Sequence, residues 1–361
     1  MILNRNRERL PQLYFEKMFS TVSSRSFTNI SEPIDSKTYH NNVKKIQIET
    51  CGELYKKWKK TKRIYRNAPE NGLKLIVEYA DSGDKQRPTV LCIHGSPGSC
   101  QVFASLINYL SAKNFRVIAP NLPDYSLTEK FNFFRHTSDE KTEFLKDFLK
   151  AIDVNEIDLV VSHSSGVYPA VRLWHDQTTI KVKALALLNP AGHRRIRGMR
   201  PASFVDLSVH IYLNPIGRWI YRKIAHKLMP LAGVIVKSTP DNALLAATTM
   251  YHADIQKLAY YLNEIKEKQI PCLYVFSNND KLIEEFIFLE MAELLGLKES
   301  EFNEFGENGN MVQKAISNSN VIVLRFNSAG HYAFIKYAHI VNEWIEALLH
   351  SICNGKQTFN K

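Results

Sequence analysis

The sequence predicts an α/β fold: a mostly parallel, eight-stranded sheet with helices on both faces and a helical insertion after the sixth strand. Two observations carry this. From residue 73 to residue 350, short runs rich in Val, Ile and Leu alternate with helical segments. Apolar runs in that βα rhythm are strands of a parallel sheet covered on both sides. Between Gly192 and Ile270 the rhythm stops, and about 75 residues read as helices with no clear strand. A chain of 361 residues, 45% of them hydrophobic, has ample material for one large core.

Taken in order, Lys44 to Thr50 reads as an edge strand. Strands follow near 73–80, 88–94, 115–120, 157–162, 182–188, 270–276 and 320–326. Helices fall near 101–113, 138–152, 166–175, 283–295 and 334–350. Four of the strands end in loops that carry chemistry. Val90-Leu91-Cys92-Ile93 runs into His94-Gly95-Ser96-Pro97-Gly98, a Gly/Pro-rich turn. Ile157-Asp158-Leu159-Val160-Val161 stops at Ser162-His163-Ser164-Ser165-Gly166, and a helical pattern follows at once. Pro271 to Phe276 is followed by Ser277-Asn278-Asn279-Asp280. Val321 to Phe326 leads to Asn327-Ser328-Ala329-Gly330-His331, just before the final helix.

The second of these loops is a sharp strand–turn–helix with serine at its apex. Strand and helix pass close on either side of such a serine, so its flanks two residues away must be small. Ser162 and Gly166 satisfy that for Ser164. A turn centred on Ser162 puts Val160 in the crowded position, and one centred on Ser165 puts His163 and Val167 there. Ser162 stands where glycine is commonest. Serine-rich strand ends are also ordinary turns, and Asp280 is equally suited to capping the helix that follows it.

On these residues the chain resembles the α/β-hydrolase superfamily from about residue 70 to residue 350. The order Ser164…Asp280…His331 is the one that superfamily shows. More narrowly, Leu187-Leu188-Asn189-Pro190-Ala191-Gly192 followed by Arg197-Gly198-Met199-Arg200-Pro201 resembles a nematode family of α/β-hydrolase-like proteins of unknown function. The resemblance implies a strained turn that exposes Ser164 as nucleophile, with His331 as general base and Asp280 to orient it. It implies an oxyanion hole made by the backbone N–H groups of Ser96 and Ser165. It also implies that the insertion is a helical cap, at 193–268, on a core formed by 41–192 and 269–361. Adjacent residues at a strand end point apart, so His163 is expected to pack beneath the turn and His94 to tie its own loop together.

The resemblance brings no substrate, since the superfamily includes esterases, lipases, thioesterases, acyltransferases and proteins without activity. The expected reaction is hydrolysis of a carboxylic ester or thioester. The alternatives are acyl transfer by the same groups, or a non-catalytic binding protein. Epoxide hydrolase and haloalkane dehalogenase chemistry is disfavoured, because both use an aspartate where this chain has Ser164. No cofactor and no metal site is implied. The partner is a hydrophobic small-molecule acyl compound.

Formal net charge is +11, unevenly spread. Segment 193–227 holds eight Lys and Arg against Asp206 alone. Arg194, Arg195 and Arg197 are candidates to meet a substrate carboxylate or phosphate, and apolar cap residues such as Tyr212, Ile216, Trp219 and Leu228 to line an acyl pocket or pack the cap. A second basic stretch, Lys56 to Arg66, has Tyr55, Trp58 and Tyr65 interleaved. Such charge fits a solvated surface or peripheral contact with an anionic membrane; no nucleic-acid motif accompanies it.

Five scattered cysteines without metal spacing read as reduced thiols of an intracellular protein. No run of eighteen apolar residues suggests a membrane span. Residues 1–40 read as a basic, poorly ordered extension. Residues 18–27 resemble a mitochondrial presequence, so the expectation is cytoplasmic with mitochondrial as the alternative.

Overall fold

The structure is a computed structural model that describes residues 42–231, 240–316 and 319–354, with side chains outside the description at 224–231 and 240. The expected N-terminal extension, with its presequence-like segment, and the side chain of Leu228 lie outside the described residues.

One sheet organises the chain. Its strands are β1 (Val43–Thr50), β2 (Leu73–Asp81), β3 (Thr89–Ile93), β4 (Arg116–Pro120), β5 (Glu156–His163), β6 (Lys181–Leu188), β7 (Cys272–Ser277), β8 (Asn303–Phe305), β9 (Met311–Gln313) and β10 (Val321–Phe326). They lie in the order β1-β2-β4-β3-β5-β6-β7-β10-β8-β9. The β1–β2, β2–β4 and β8–β9 pairs are antiparallel and the rest parallel. All eight expected strands form. The sheet has ten, because β8 and β9 extend the edge beyond β10. Each is only three residues long, too short for a periodic pattern to register.

The helices are α1 (Gly52–Lys59), α2 (Ala104–Ala112), α3 (Tyr125–Lys130), α4 (Ser138–Ala151), α5 (Val167–His175), α6 (Ala202–Leu213), α7 (Pro215–Leu231), α8 (Pro240–Tyr251), α9 (Ile255–Glu267), α10 (Glu285–Leu294), α11 (Ala333–Lys336) and α12 (Ala338–Cys353). Alternate strand residues feed opposite faces. Leu91, Ile93 and Val160 join Phe144 and Phe148 of α4, Val171 of α5 and Ile287 of α10 in one core. Val90, Cys92, Leu159 and Val161 join Ile107 of α2 and Val341, Ile345 and Leu348 of α12 in the other. Each such side chain removed from water contributes roughly 1.5–3 kcal/mol, and polar alternation in β5 and β6 is confined to their first residues.

Among the described residues the expected cap segment holds four α-helices between β6 and β7. Of these, α6, α7 and α8 pack on one another, whereas α9 lies against α5 and α10 on the face of the sheet. The basic stretch 56–66 is also settled by packing. Tyr55, Trp58 and Tyr65 are buried in a small core of their own, and Lys62 Nζ lies 3.4 Å over the Trp58 ring. These aromatics are structural, and the cations line their outer side. All five cysteines are free; Cys353 alone is exposed. Among the described residues no helix is long and apolar enough to cross a membrane.

Candidate active site

β5 ends at His163, and Ser164 has φ +52°, a left-handed conformation unusual for a residue with a side chain. A single 3₁₀ turn, Ser164–Gly166, then feeds α5. Gly166 is required by the close passage of β3: a Cβ there would lie 2.5 Å from the Ile93 carbonyl oxygen. Gly95 is required from the other side, since its Cβ would lie 2.8 Å from Ser164 Cβ. Ser162 is fully buried, and its hydroxyl has no partner among the described residues. That unsatisfied group costs roughly 1–3 kcal/mol. The Ser164 hydroxyl, half-buried, also has no hydrogen-bond partner among the described residues.

The loops after β7 and β10 are tied together beside this turn. Ala329 N–H donates to Ser277 Oγ at 2.9 Å and Gly330 N–H to Asn279 Oδ1 at 2.7 Å. This holds His331 so that its Nδ1 lies 2.7 Å from Asp280 Oδ2, both side chains buried. The other Asp280 oxygen accepts the backbone N–H groups of Leu282 and Ile283, at 2.9 and 3.2 Å. Asp280 thus meets His331 with one oxygen and two backbone N–H groups with the other, but it caps no helix: α10 begins only at Glu285, with Glu284 as its N-cap.

Ser96 and Ser165 also meet. The Ser96 N–H donates to Ser165 Oγ at 2.9 Å. For that N–H to receive an oxyanion, the Ser165 hydroxyl has to turn away, a rotation about one side-chain bond.

The two neighbouring histidines hold the scaffold. His94 Nδ1–H donates to the Gly95 carbonyl at 2.6 Å, and its Nε2 accepts the Leu122 N–H at 2.8 Å. His163 Nε2–H donates to the His331 carbonyl at 3.0 Å, and the two rings lie 4.9 Å apart. Burial pushes His94 down to about 4 and His163 well below its ordinary value. Burial likewise depresses His136, and His252 to about 4. An unfolded histidine takes its proton near 6.5, so these groups contribute stability that is fully present above that pH and lost as pH falls toward 4. His94 alone accounts for about 3 kcal/mol of that loss. We expect Tm to drop steeply between pH 6.5 and 4.5 in a thermal-denaturation series; a flat Tm across that window would contradict the assignment.

The cap residues fall elsewhere. Arg195 is held by both oxygens of Asp206 at 2.9 Å, and Arg194 lies 3.1 Å from Glu290. The Arg197 N–H donates to Glu284 at 2.8 Å. Asp206 of the same segment and Glu290 of the core thus neutralise Arg195 and Arg194. Trp219 is 60% exposed on α7, with Lys223 Nζ 3.9 Å over its ring. Among the described residues neither Arg194 nor Trp219 forms a hydrogen bond, ion pair or ring contact with the Ser164 turn. Among the described residues no cluster of His, Cys, Asp and Glu is arranged to hold a metal.

A family profile described as "Alpha/beta hydrolase of unknown function (DUF1057)" matches residues 56–350. The chain belongs to this family. A haloalkane dehalogenase from Psychrobacter cryohalolentis is 30% identical over 99 residues, which is 26% of this chain and 31% of that protein. The chain spans about a third of the length of the first curated relatives it matches. The Caenorhabditis elegans protein F35H12.5, itself uncharacterized, is 20% identical over 291 residues, 72% of this chain and 77% of that one. A thermophilic esterase from Thermogutta terrifontis superposes with a TM-score of 0.54 at 14% identity, covering 86% of this chain and 99% of the other. That likeness establishes the fold.

Sequence reasoning about this α/β-hydrolase missed one residue of the site. Asn189, at the end of β6, has φ +40°. Its Nδ2 donates to Asp280 Oδ2 and to the Gly330 carbonyl, both at 3.2 Å, while Ala191 N–H donates to the Ser164 carbonyl at 3.0 Å. The loop after β6 therefore joins the serine turn to the Asp280–His331 pair. An asparagine at a buried strand's end, where left-handed backbone is tolerated, is the available signal.

Proposed function

We propose that the protein is a serine hydrolase that cleaves a carboxylic ester or thioester. The observation that carries the reading is the 2.7 Å His331–Asp280 contact beside a serine held at φ +52°. Asp280 fixes the proton of His331 on Nδ1, which leaves Nε2 free to take the proton of Ser164. Ser164 Oγ attacks the acyl carbon. The oxyanion rests on the N–H groups of Ser96 and Ser165, each donor stabilising the transition state by roughly 3–4 kcal/mol. His331 then protonates the leaving group, activates water, and the acid is released. Contacts between base and nucleophile commonly tighten only when substrate binds.

A binding protein is the second reading, favoured by one contact: Ser165 Oγ already satisfies the Ser96 N–H. A panel of p-nitrophenyl esters and acyl thioesters of short, medium and long chain separates the two. Turnover of at least one ester, with free acid as product, is expected. No turnover by folded protein would leave the binding reading. Acyl transfer shows as ester rather than acid when an alcohol is added.

The reading extends to where the substrate is met. The α6–α7 hairpin exposes Leu207, Ile211, Ile216, Trp219 and Ile220 on the cap, with Lys223 against Trp219. An apolar face with an interfacial Trp, on a chain of net charge +11, suits peripheral contact with an anionic bilayer. We expect co-sedimentation with phosphatidylserine-containing vesicles and its loss in Ile216→Ser/Trp219→Ser. Equal sedimentation of both proteins would contradict this.

A further inference from the structure

Lys141, in the first turn of α4, is 3% exposed, and no carboxylate lies within ion-pair distance of it among the described residues. Its Nζ donates to Thr249 Oγ1 of α8 at 3.1 Å, and the Thr249 hydroxyl donates to Ser96 Oγ at 3.2 Å. The chain of donors thus runs from a buried ammonium to the oxyanion loop, where the Ser96 hydroxyl hydrogen meets no acceptor among the described residues. Two ammonium hydrogens likewise meet none among them. The adjacent Glu140 makes no hydrogen bond or ion pair with Lys141: its carboxylate accepts from Tyr55, Tyr65, Thr137 and the Arg135 N–H, and its charge supports the ammonium only across space.

One other donor on this seam between core and cap is also unspent. Arg218 Nη2 is buried without a partner among the described residues, and nearby His136 is turned toward the Pro123 carbonyl. Both side chains touch Thr128, through His136 Nε2 at 2.8 Å and Arg218 Nη1 at 3.4 Å. Burial pulls the Lys141 ammonium down to about 7, and burial followed by the Lys141 charge depresses His136. A buried cation with spare donors is costly unless an anion arrives to meet it. Among the described residues no side chain brings a carboxylate into direct contact with the Lys141 ammonium.

We propose that Lys141 is the cation of an anion subsite beside the oxyanion loop, and that the acyl compound bound at Ser164 carries a carboxylate. This rests on the reading of Ser164 as the acyl-accepting residue. The class is half-esters or half-thioesters of dicarboxylic acids. Lys141 grips the free carboxylate while the ester carbonyl faces Ser96 and Ser165.

The test is binding to the Ser164→Ala protein, so that turnover is not needed. The probes are the monomethyl esters of succinic, glutaric and adipic acid, each against its neutral dimethyl ester, by calorimetry and thermal shift. At least one half-ester is expected to bind about tenfold more tightly than its diester. Adding Lys141→Met should reduce that preference to less than about twofold, with Tm in the absence of ligand unchanged or raised, because an unpaired buried cation is removed. Lys141→Gln, which keeps a polar tip without charge, should lose the preference in the same way. Equal binding of half-ester and diester throughout, or a preference that survives both exchanges, would overturn the subsite. Failure of the hydrolase reading is separate: the half-ester preference would then stand while the wild type hydrolyses no ester.

Discussion

Replacement of Ser164 by alanine is expected to lower kcat for the best ester about 10⁶-fold, the loss typical when such a nucleophile is removed. What remains is catalysis by the backbone donors and by substrate positioning. Stability should change little. The hydroxyl of Ser164 makes no hydrogen bond among the described residues, so its removal strands no partner. The φ of +52° is imposed by Gly166 and Gly95, which let β3 and the Ser96 loop close around the turn, and alanine at 164 keeps that backbone. Steady-state kinetics beside a thermal melt check both halves. A mutant within about tenfold of wild type would remove Ser164 from the chemistry.

The second large effect is expected at Asp280. Asp280→Asn should cost about 10⁴-fold in kcat, through the His331 tautomer. Oδ2 of Asp280 accepts from His331 Nδ1 and from Asn189 Nδ2, and Oδ1 from two backbone N–H groups. An amide has one oxygen. If that oxygen stays with Leu282 and Ile283, its NH₂ faces two donors, and His331 is driven to carry its proton on Nε2. It can then no longer accept one from Ser164. If the amide turns the other way, the two backbone N–H groups lose their acceptor, at roughly 1–3 kcal/mol each. Rate should therefore collapse while circular dichroism shows a retained fold and the melt shows reduced stability. Kinetics equal to wild type would mean that the Asp280–His331 contact is structural.

The parts of the fold legible in the sequence were those whose signal is local. Largely apolar runs mark β3, β5, β6, β7 and β10, and the loops after β3, β5, β7 and β10 carry Ser96, Ser164, Asp280 and His331. The steric argument that chose Ser164 over Ser162 and Ser165 needs only the identities of Val160, His163 and Val167. Less legible were features decided by distant partners. Arg194 and Arg195 read as free cations because their acids, Glu290 and Asp206, come together with them only in the folded chain. Nothing local marks Lys141, whose burial and bond to Thr249 of α8 exist only in the folded chain. Asn189 shows which groups it joins only when the loops after β6, β7 and β10 converge. Strands β8 and β9 form only because β10 offers an open edge.

The central claim is that Ser164 is an activated nucleophile. Fluorophosphonate labelling of purified wild type beside Ser164→Ala, read by intact mass, tests it most directly. One adduct on wild type and none on the mutant is the predicted result. No adduct on folded wild type, or the same adduct on both proteins, would contradict it.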